Sequence, residues 1–575
     1  MVYDNNELIQ STKDGDFLET IYQYYMNHDG ERNSVGKQLA TMHNDGSIDI
    51  IDEFSRLTNT DNGDFFLTRD VLVDALPHIN SPALEVMICV KHLTLEAGND
   101  MAATMLYAPF TQFCEASTER SEEVLNIAVN SNGELLDFIN LALRAGANLN
   151  LPKFASKAIE LTVHENLKIC ASAVYALGDI DYSNNISLVL DALEALNLVI
   201  KKGYDTRVFE SVLKSAFALF LADNSKELEV YNLMELALAE KNEYEIHAAS
   251  ELFFRETKKL PSNILDLLLN ALKSTNPKNK GTLDNIDYGL QHLVKAGHIE
   301  KAFPLIEYLL ISNKGELSIV LLDSLVHELL SNNEALNKLV TKWLLSKSLA
   351  LGRATSDVIN QRHGKDVNLR VDMTLLQGQE SNSLFLARKA IGWLFTKPVS
   401  TASFIISLID TTSEGEASEI TQLLFNPLLI SYPGSVKQYL IDISPELSTK
   451  SQEVITNVLG MLKRYHEGLD SARDISELWP PQFQRETYNR YFSHQMSDAH
   501  KEAEKGSVFL NLVKKSVLLY GNKSINYIYG PNEQVTRQEI PLQQISHSIE
   551  FPALENIDPH TLDYMMRVFR VEDCQ

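Results

Sequence analysis

Basic side chains are concentrated in one stretch of this 575-residue chain, where they could bind an anion. Residues 342–397 hold 9 Lys/Arg against 4 Asp/Glu, although the whole chain has a formal net charge of −26. Guanidinium and ammonium groups hold phosphate or carboxylate oxygens by charge-assisted hydrogen bonds. The candidate anion-binding residues are Arg362, His363, Lys365, Arg370, Arg388 and Lys389. The alternative, which we favour, is a solvated loop, because surface loops are generally polar.

A set of aromatic residues near the strongest break in the sequence could dock a protein partner. The break is Trp479-Pro480-Pro481, and a long charged helix is predicted after it, from about residue 482 to residue 505. The candidate docking residues are Trp479, Phe483, Tyr488, Tyr491 and Phe492. Aromatic side chains dominate contact energies at interfaces. Such a cluster is more often the core that joins a helix to a sheet.

Motifs for catalysis or metal binding fail at decisive positions. Three His-Glu dipeptides occur, but the residues four after each His are Lys168, Ser331 and Asp470, where a zinc peptidase needs a second His. The stretch from Thr58 to Arg69 resembles a calcium loop, yet Arg69 stands where a bidentate Glu belongs. We therefore predict no catalytic residue, no metal site and no cofactor.

Composition and charge limit the partners and the compartment. Apolar residues make up 44% and charged residues 22%, as in ordinary soluble folded proteins. No apolar run approaches the length of about 18 residues that a membrane span needs, so membrane insertion is not expected. The acidic chain repels phosphates, which makes nucleic acid an unexpected main ligand. Four cysteines without a Cys-x-x-Cys pair suit a reducing cytoplasm.

Helices in a repeating pattern are the main elements that the sequence predicts. Residues 165–193 and 242–272 are two copies of a small-residue-rich helix, a short break and a leucine-rich helix. Two further apolar helices lie between the copies, so the spacing indicates repeat units of roughly 39 residues. Strand alternation is nearly absent from 81–345, which predicts an all-helical structure there.

The two copies resemble HEAT- or armadillo-type repeats. The resemblance lies in the Ala-rich first helix and in the second helix, which contains Leu-Asp-Ala-Leu in one copy and Leu-Leu-Asn-Ala-Leu in the other. It covers about residues 81–345. The resemblance implies a right-handed α-solenoid whose concave face binds another macromolecule.

The chain as a whole is predicted to be an all-α, elongated helical-repeat array with a small C-terminal helix-plus-antiparallel-β module. The expected parts are an acidic helical cap over 1–80, HEAT-like repeats over 81–345, a helical array over 346–478 that begins with a Gly-rich polar loop, and a C-terminal module over 479–575. In that module we expect strands at 516–520, 523–529 and about 534–540, because residues alternate there with period two. A final helix should reach about Arg570.

We expect a non-enzymatic scaffold or adaptor that binds protein partners within a multi-protein assembly, since a stack of helix pairs supplies surface rather than chemistry. The alternative is a phosphate- or nucleic-acid-acting subunit, with its basic site in residues 351–392 or in the C-terminal module.

Overall fold

The computed structural model describes residues 4–27, 32–59, 64–131, 133–203, 206–313, 317–361, 366–376, 382–506, 523–529, 535–541 and 550–573. The chain divides into two compact units, Met1–Asn332 and Asn333–Gln575. Helices account for 79% of the described part. None of the described helices is both long enough and apolar enough to cross a membrane.

Unit 1 is made of short helices. Their bounds are α1 Asn5–Asp14, α2 Phe17–Asn27, α3 Arg32–Asn44, α4 Ile50–Phe54, α5 Phe65–Ala75, α6 Ala83–Glu96, α7 Tyr107–Cys114, α8 Thr118–Asn130, α9 Asp137–Leu149, α10 Leu151–Leu161, α11 Leu167–Asp179, α12 Leu188–Lys201, α13 Thr206–Ala222, α14 Glu227–Ala237, α15 Glu243–Glu256, α16 Ser262–Leu272, α17 Lys280–Lys295, α18 Ile299–Ser312 and α19 Asp323–Ser331.

Unit 2 contains the remaining helices and two strands. Their bounds are α20 Asn333–Leu345, α21 Leu349–Asn360, α22 Ser383–Leu394, α23 Pro398–Leu408, α24 Glu414–Leu423, α25 Ser435–Ile443, α26 Thr449–Arg473, α27 Gln482–Gly506, β1 Lys523–Tyr529, β2 Val535–Pro541, α28 Ala553–Ile557 and α29 Pro559–Val571.

Helices of unit 1 alternate between two layers. The first layer contains α7, α9, α11, α13, α15, α17 and α19, each packed on the next. The second layer contains α10, α12, α14, α16 and α18, which also contact one another in sequence. The two copies found in the sequence are the pairs α11–α12 and α15–α16. The helices of unit 1, each packed against its neighbours, are compatible with a helical repeat.

Local chemistry explains where the repeated helices begin and what they bury. The side chain of Asn242 accepts hydrogen bonds from backbone N–H groups at the start of α15, and the carboxylate of Glu245 accepts one from the backbone N–H of Asn242. Such a capping box satisfies amide groups that a helix leaves unpaired at its first turn. In α16 the leucines recur at helical spacing, and Leu268 and Leu272 are fully buried.

Polar side chains also join successive helix pairs at a regular distance along the chain. The bonded residues are Arg144 with Thr111, Asn140 with Asp179, His247 with Thr282, and Asn285 with Ser250, separated by 33, 39, 35 and 35 residues. A bond with a similar separation also occurs near the start of the chain, where the side chain of Gln38 donates to that of Asn5, 33 residues away. These bonds fix the register between neighbouring pairs, because each bond requires one relative position of the two helices.

An extended segment, 366–372, is inserted between helices of unit 2. Its backbone N–H groups at every second residue donate to serine hydroxyls on α23. These bonds run from Val367 to Ser400, from Leu369 to Ser403 and from Val371 to Ser407, at 2.8, 2.9 and 2.9 Å. The N–H groups of Arg370 and Asp372 donate to Asn337 and Thr341 on α20, both at 2.9 Å. The segment therefore satisfies its amides with side chains instead of a neighbouring strand.

The prediction of a C-terminal antiparallel β module is wrong. Strands β1 and β2 form only one antiparallel pair, and no third strand joins it among the described residues. The described residues thus show a single two-stranded pair, which alone is at best marginally stable, and not the sheet of three strands that the sequence predicted. Alternation over seven residues specifies a local extended conformation but not the partners that complete a sheet. The strand predicted at 516–520 lies outside the described residues.

Candidate functional site

The predicted anion-binding residues occupy different environments. Arg362, His363 and Lys365 lie outside the described residues. Arg370 is exposed in the extended segment, between α20 and α23. Arg388 and Lys389 lie on α22, beneath the last helix of the chain, α29. The anion site as a whole therefore stays a prediction.

Arg388 and Lys389 hold the end of α29. The ammonium of Lys389 donates to the carbonyl oxygen of Arg570 at 2.8 Å, and Arg388 Nη1 lies 2.8 Å from Glu572 Oε1. Lys389 is only 3% exposed. Burial lowers the pKa of its ammonium, and the carboxylates of Glu572 and Asp573 oppose that shift. Both cations thus have partners within the protein.

The predicted docking residues Trp479, Phe483, Tyr488, Tyr491 and Phe492 are all at the surface, with exposed fractions between 36% and 67%. Their exposure separates them from the core that the sequence alternatively suggested. Tyr488 and Phe492 stack at 6.5 Å between ring centroids, since four residues bring two side chains to one helix face. Whether this surface docks a partner stays a prediction.

Phe551 and Asn556 cover part of these aromatic residues. The ring of Phe551 meets that of Phe492 edge-on at 6.3 Å between centroids. The hydroxyl of Tyr488 donates to the side-chain carbonyl of Asn556. The segment that carries the last helix thus contacts α27 as well as α22.

The sequence reading missed a groove on the first layer of unit 1. It has a volume of about 620 Å³ and crosses α7, α9, α11 and α13. Its lining combines aromatic and polar side chains, chiefly Tyr107, Asp137, Asn140, Arg144, Tyr175 and Asp179. We call this surface the first-layer groove.

Arg144 organises the polar side of the first-layer groove. One of its guanidinium nitrogens lies 3.1 Å from Asp179 Oδ2, and the other donates to Thr111 Oγ1 at 3.1 Å. Asn140 donates to the same Asp179 oxygen at 3.3 Å. Three successive first-layer helices are therefore joined by one set of side chains, which fixes their positions before any ligand arrives.

Two tyrosines in the groove remain able to interact further. Tyr175 presents an aromatic ring that is 45% exposed. Burial raises the pKa of the neighbouring Tyr107, and the charge of Asp137 adds to that effect, so its hydroxyl stays protonated and can donate.

A sequence signal for this groove existed. Asn140, Arg144 and Asn148 recur every four residues in α9, so they lie on one face of an otherwise apolar helix. Each bonds to a residue of a neighbouring pair, and Asn148 does so with Glu115 at 2.6 Å. A row of polar residues on one helix face, with polar residues about one repeat away that could bond to them, would have indicated the first-layer groove.

No protein-family model matches this chain, and no curated protein matches it. Among the described residues, no group of three or more His, Cys, Asp and Glu side chains is placed to hold a metal ion. The first-layer groove thus combines hydrogen-bonding side chains with the exposed ring of Tyr175.

Proposed function

We propose that this protein is a non-enzymatic scaffold or adaptor, built as a HEAT- or armadillo-type α-solenoid, that binds a protein partner within a multi-protein assembly. The first-layer groove would be its principal binding surface. The proposal rests chiefly on one observation, the set of cross-helix bonds around Arg144 that holds the groove's side chains in place. Binding to a surface already ordered loses less conformational entropy.

The chemistry of the groove also supports a protein ligand. Tyrosine and arginine are among the residue types that most often carry binding energy at protein interfaces. Tyr107, Tyr175 and Arg144 lie together in the groove. Its polar groups offer both donors and acceptors, which a peptide main chain can match at once.

A single substitution with a matched control tests this proposal. Tyr175 on α11 and Tyr308 on α18 are equally exposed, at 45% each, but Tyr308 lies in the second layer. Tagged wild type, Tyr175→Ala and Tyr308→Ala should be purified from host cells, and bound proteins measured by quantitative mass spectrometry. We expect Tyr175→Ala to lose about tenfold or more of a stoichiometric partner, while Tyr308→Ala retains it.

Two results would contradict the proposal. One is equal recovery of every stoichiometric partner by both variants. The other is a purified wild-type protein that, without a partner, turns over a nucleotide or cleaves nucleic acid.

A further inference from the structure

A second pocket lies near the start of unit 1, on helices other than those of the first-layer groove. It is formed by α2, α4, α5 and the turn between α1 and α2, and its volume is about 560 Å³. That volume is typical of sites for small molecules. Its lining includes the carboxylates of Asp16, Glu19 and Glu53 and one guanidinium, that of Arg56. The pocket is therefore negatively charged.

Glu53, on α4, places a buried carboxylate at this pocket. Its side chain is only 10% exposed, yet the carboxylate accepts no hydrogen bond from the described part of the chain. Arg56 Nη1 lies 3.8 Å from Glu53 Oε1, which is too far for a hydrogen bond, and Arg56 is itself 63% exposed and paired with Asp52. Burial raises the pKa of Glu53, Arg56 opposes that shift, and the charges of Asp52 and Asp49 add to it.

The pocket also offers apolar surface beside this carboxylate. Leu18 and Tyr22 of α2 and Phe65 of α5 belong to the same lining as Glu53. An aliphatic chain can pack on such side chains, and an aromatic ring attracts a cation to its face. The described residues contain no group of three or more His, Cys, Asp and Glu side chains placed for a metal ion. A buried negative charge beside an apolar wall thus fits an organic cation better than a hydrated inorganic one.

We propose that this pocket binds an organic cation, an ammonium group on an aliphatic stem, with the ammonium on Glu53 and the stem against Leu18, Tyr22 and Phe65. A carboxylate buried without a hydrogen bond is costly, and an ammonium supplies the charge-assisted bonds that it lacks. The same chemistry is offered by a free aliphatic amine and by a lysine side chain of another protein. The inference stands whether or not the first-layer groove binds a partner.

The test is isothermal titration calorimetry on the full chain with n-pentylammonium chloride. A monovalent probe limits non-specific attraction to a chain with a net charge of −26. We expect the wild type to bind one equivalent and Glu53→Gln, which has nearly the same shape without the charge, to bind at least tenfold more weakly. The control Glu85→Gln removes an exposed carboxylate of α6 outside the pocket and should bind like the wild type.

A second measurement separates binding from a structural role of Glu53. Without the amine, Glu53→Gln should melt at the same temperature as the wild type or higher, because the variant no longer buries a charge that lacks a hydrogen bond. If it melts lower, Glu19→Gln decides, since Glu19 is an exposed carboxylate at the same pocket. At least threefold weaker binding by Glu19→Gln supports the proposal, and unchanged binding overturns it.

Two further probes define the ligand. Ammonium chloride should bind the wild type at least tenfold more weakly than n-pentylammonium, since the ammonium ion has no apolar stem. N-acetyl-lysine amide tests the second source of the same chemistry. Tighter binding of n-pentylammonium indicates a free amine, and tighter binding of the lysine derivative indicates a protein side chain, so both support the site.

Two outcomes would overturn the proposal. One is equal affinity of the wild type and of a folded Glu53→Gln variant for n-pentylammonium, since the amine would then be attracted only by the overall negative charge. The other is a wild-type protein that binds neither n-pentylammonium nor the lysine derivative more tightly than it binds ammonium.

Discussion

Gly178 occupies a position of α11 at which no side chain fits. A Cβ atom there would lie 2.6 Å from the Cα atom of Ser215 on α13, a backbone atom that cannot turn away. The hydroxyl of Ser215 also donates to the carbonyl of Val174 at 2.8 Å across the same contact. Two first-layer helices therefore meet almost backbone to backbone at this point.

Gly178→Ala should destabilise unit 1 by about 1–3 kcal/mol, because extra volume in a close-packed contact forces the helices apart. Chemical denaturation followed by circular dichroism measures the change. Gly281→Ala, on α17, is the matched control, since a Cβ atom there meets nothing closer than 3.7 Å. A loss of stability in the control equal to that of Gly178→Ala would show that glycine itself, and not the close contact, matters.

The cysteines illustrate what single residues reveal in a sequence. Cys89, Cys114 and Cys170 lie in apolar helical stretches, which predicts buried free thiols, and the structure confirms it. Burial raises the pKa of Cys89 and of Cys170 to about 11 and that of Cys114 further. Apolar context is a local property, so the sequence could report it.

Helix α23 carries a face of serine residues that was not predicted from the sequence. Ser400, Ser403 and Ser407 are spaced so that they share one side of the helix. In an otherwise apolar helix, buried hydroxyls require partners, and here the partners are the amides of the segment 366–372. For the segment 366–372 itself the sequence predicted part of a Gly-rich polar loop, because Gly364 and Gly378 flank it among many polar residues.

Ser400→Ala and Ser403→Ala should each destabilise unit 2 by about 1–3 kcal/mol, because each leaves a buried amide without an acceptor. Thermal unfolding and hydrogen exchange at Val367 and Leu369 measure the two effects. Ser356→Ala is the control, since the Ser356 hydroxyl contacts only an exposed Asn360 amide at 3.3 Å. Unchanged exchange at Val367 in Ser400→Ala would contradict this role of the hydroxyl.

Helix existence was predictable from the sequence, but the pairing of distant elements was not. The break at Trp479-Pro480-Pro481 and the Asp558-Pro559 start predict α27 and α29, and both helices are present. The docking of α29 on α22 depends on contacts between residues about 180 positions apart. A periodic pattern records which face of a helix is buried, but not which other helix buries it. The first-layer groove was equally unpredictable from the sequence, because its lining comes from four different helices.

For the whole molecule, several carboxyl groups lie where burial disfavours their charge. Burial raises the pKa of Glu53, Asp74, Glu245, Asp287, Asp357 and Asp366. The folded protein holds these protons to a higher pH than the unfolded chain does. Their contribution to stability is complete below the unfolded pKa and is lost as the pH rises through the folded pKa. The net charge of −26 acts in the same direction through self-repulsion.

The melting temperature should therefore rise as the pH falls from neutrality through the raised pKa values of these carboxyl groups toward their unfolded values, at constant ionic strength. Asp366→Asn is the matched variant, because an amide oxygen can still accept the bond from the N–H of Val399 that Asp366 accepts at 3.1 Å. It should be more stable than the wild type at the higher pH, with a difference that shrinks on acidification. A wild-type melting temperature that falls steadily over this range would contradict the expectation.

The segment 366–372 has a consequence for how this protein meets other chains. Extended stretches with alternate apolar residues, here Val367, Leu369 and Val371, normally present a row of unpaired amides that can recruit a foreign strand and start aggregation. In this protein five amides of the segment already donate to side chains of α20 and α23. The stretch is extended and apolar, yet it gives an incoming strand no edge to extend.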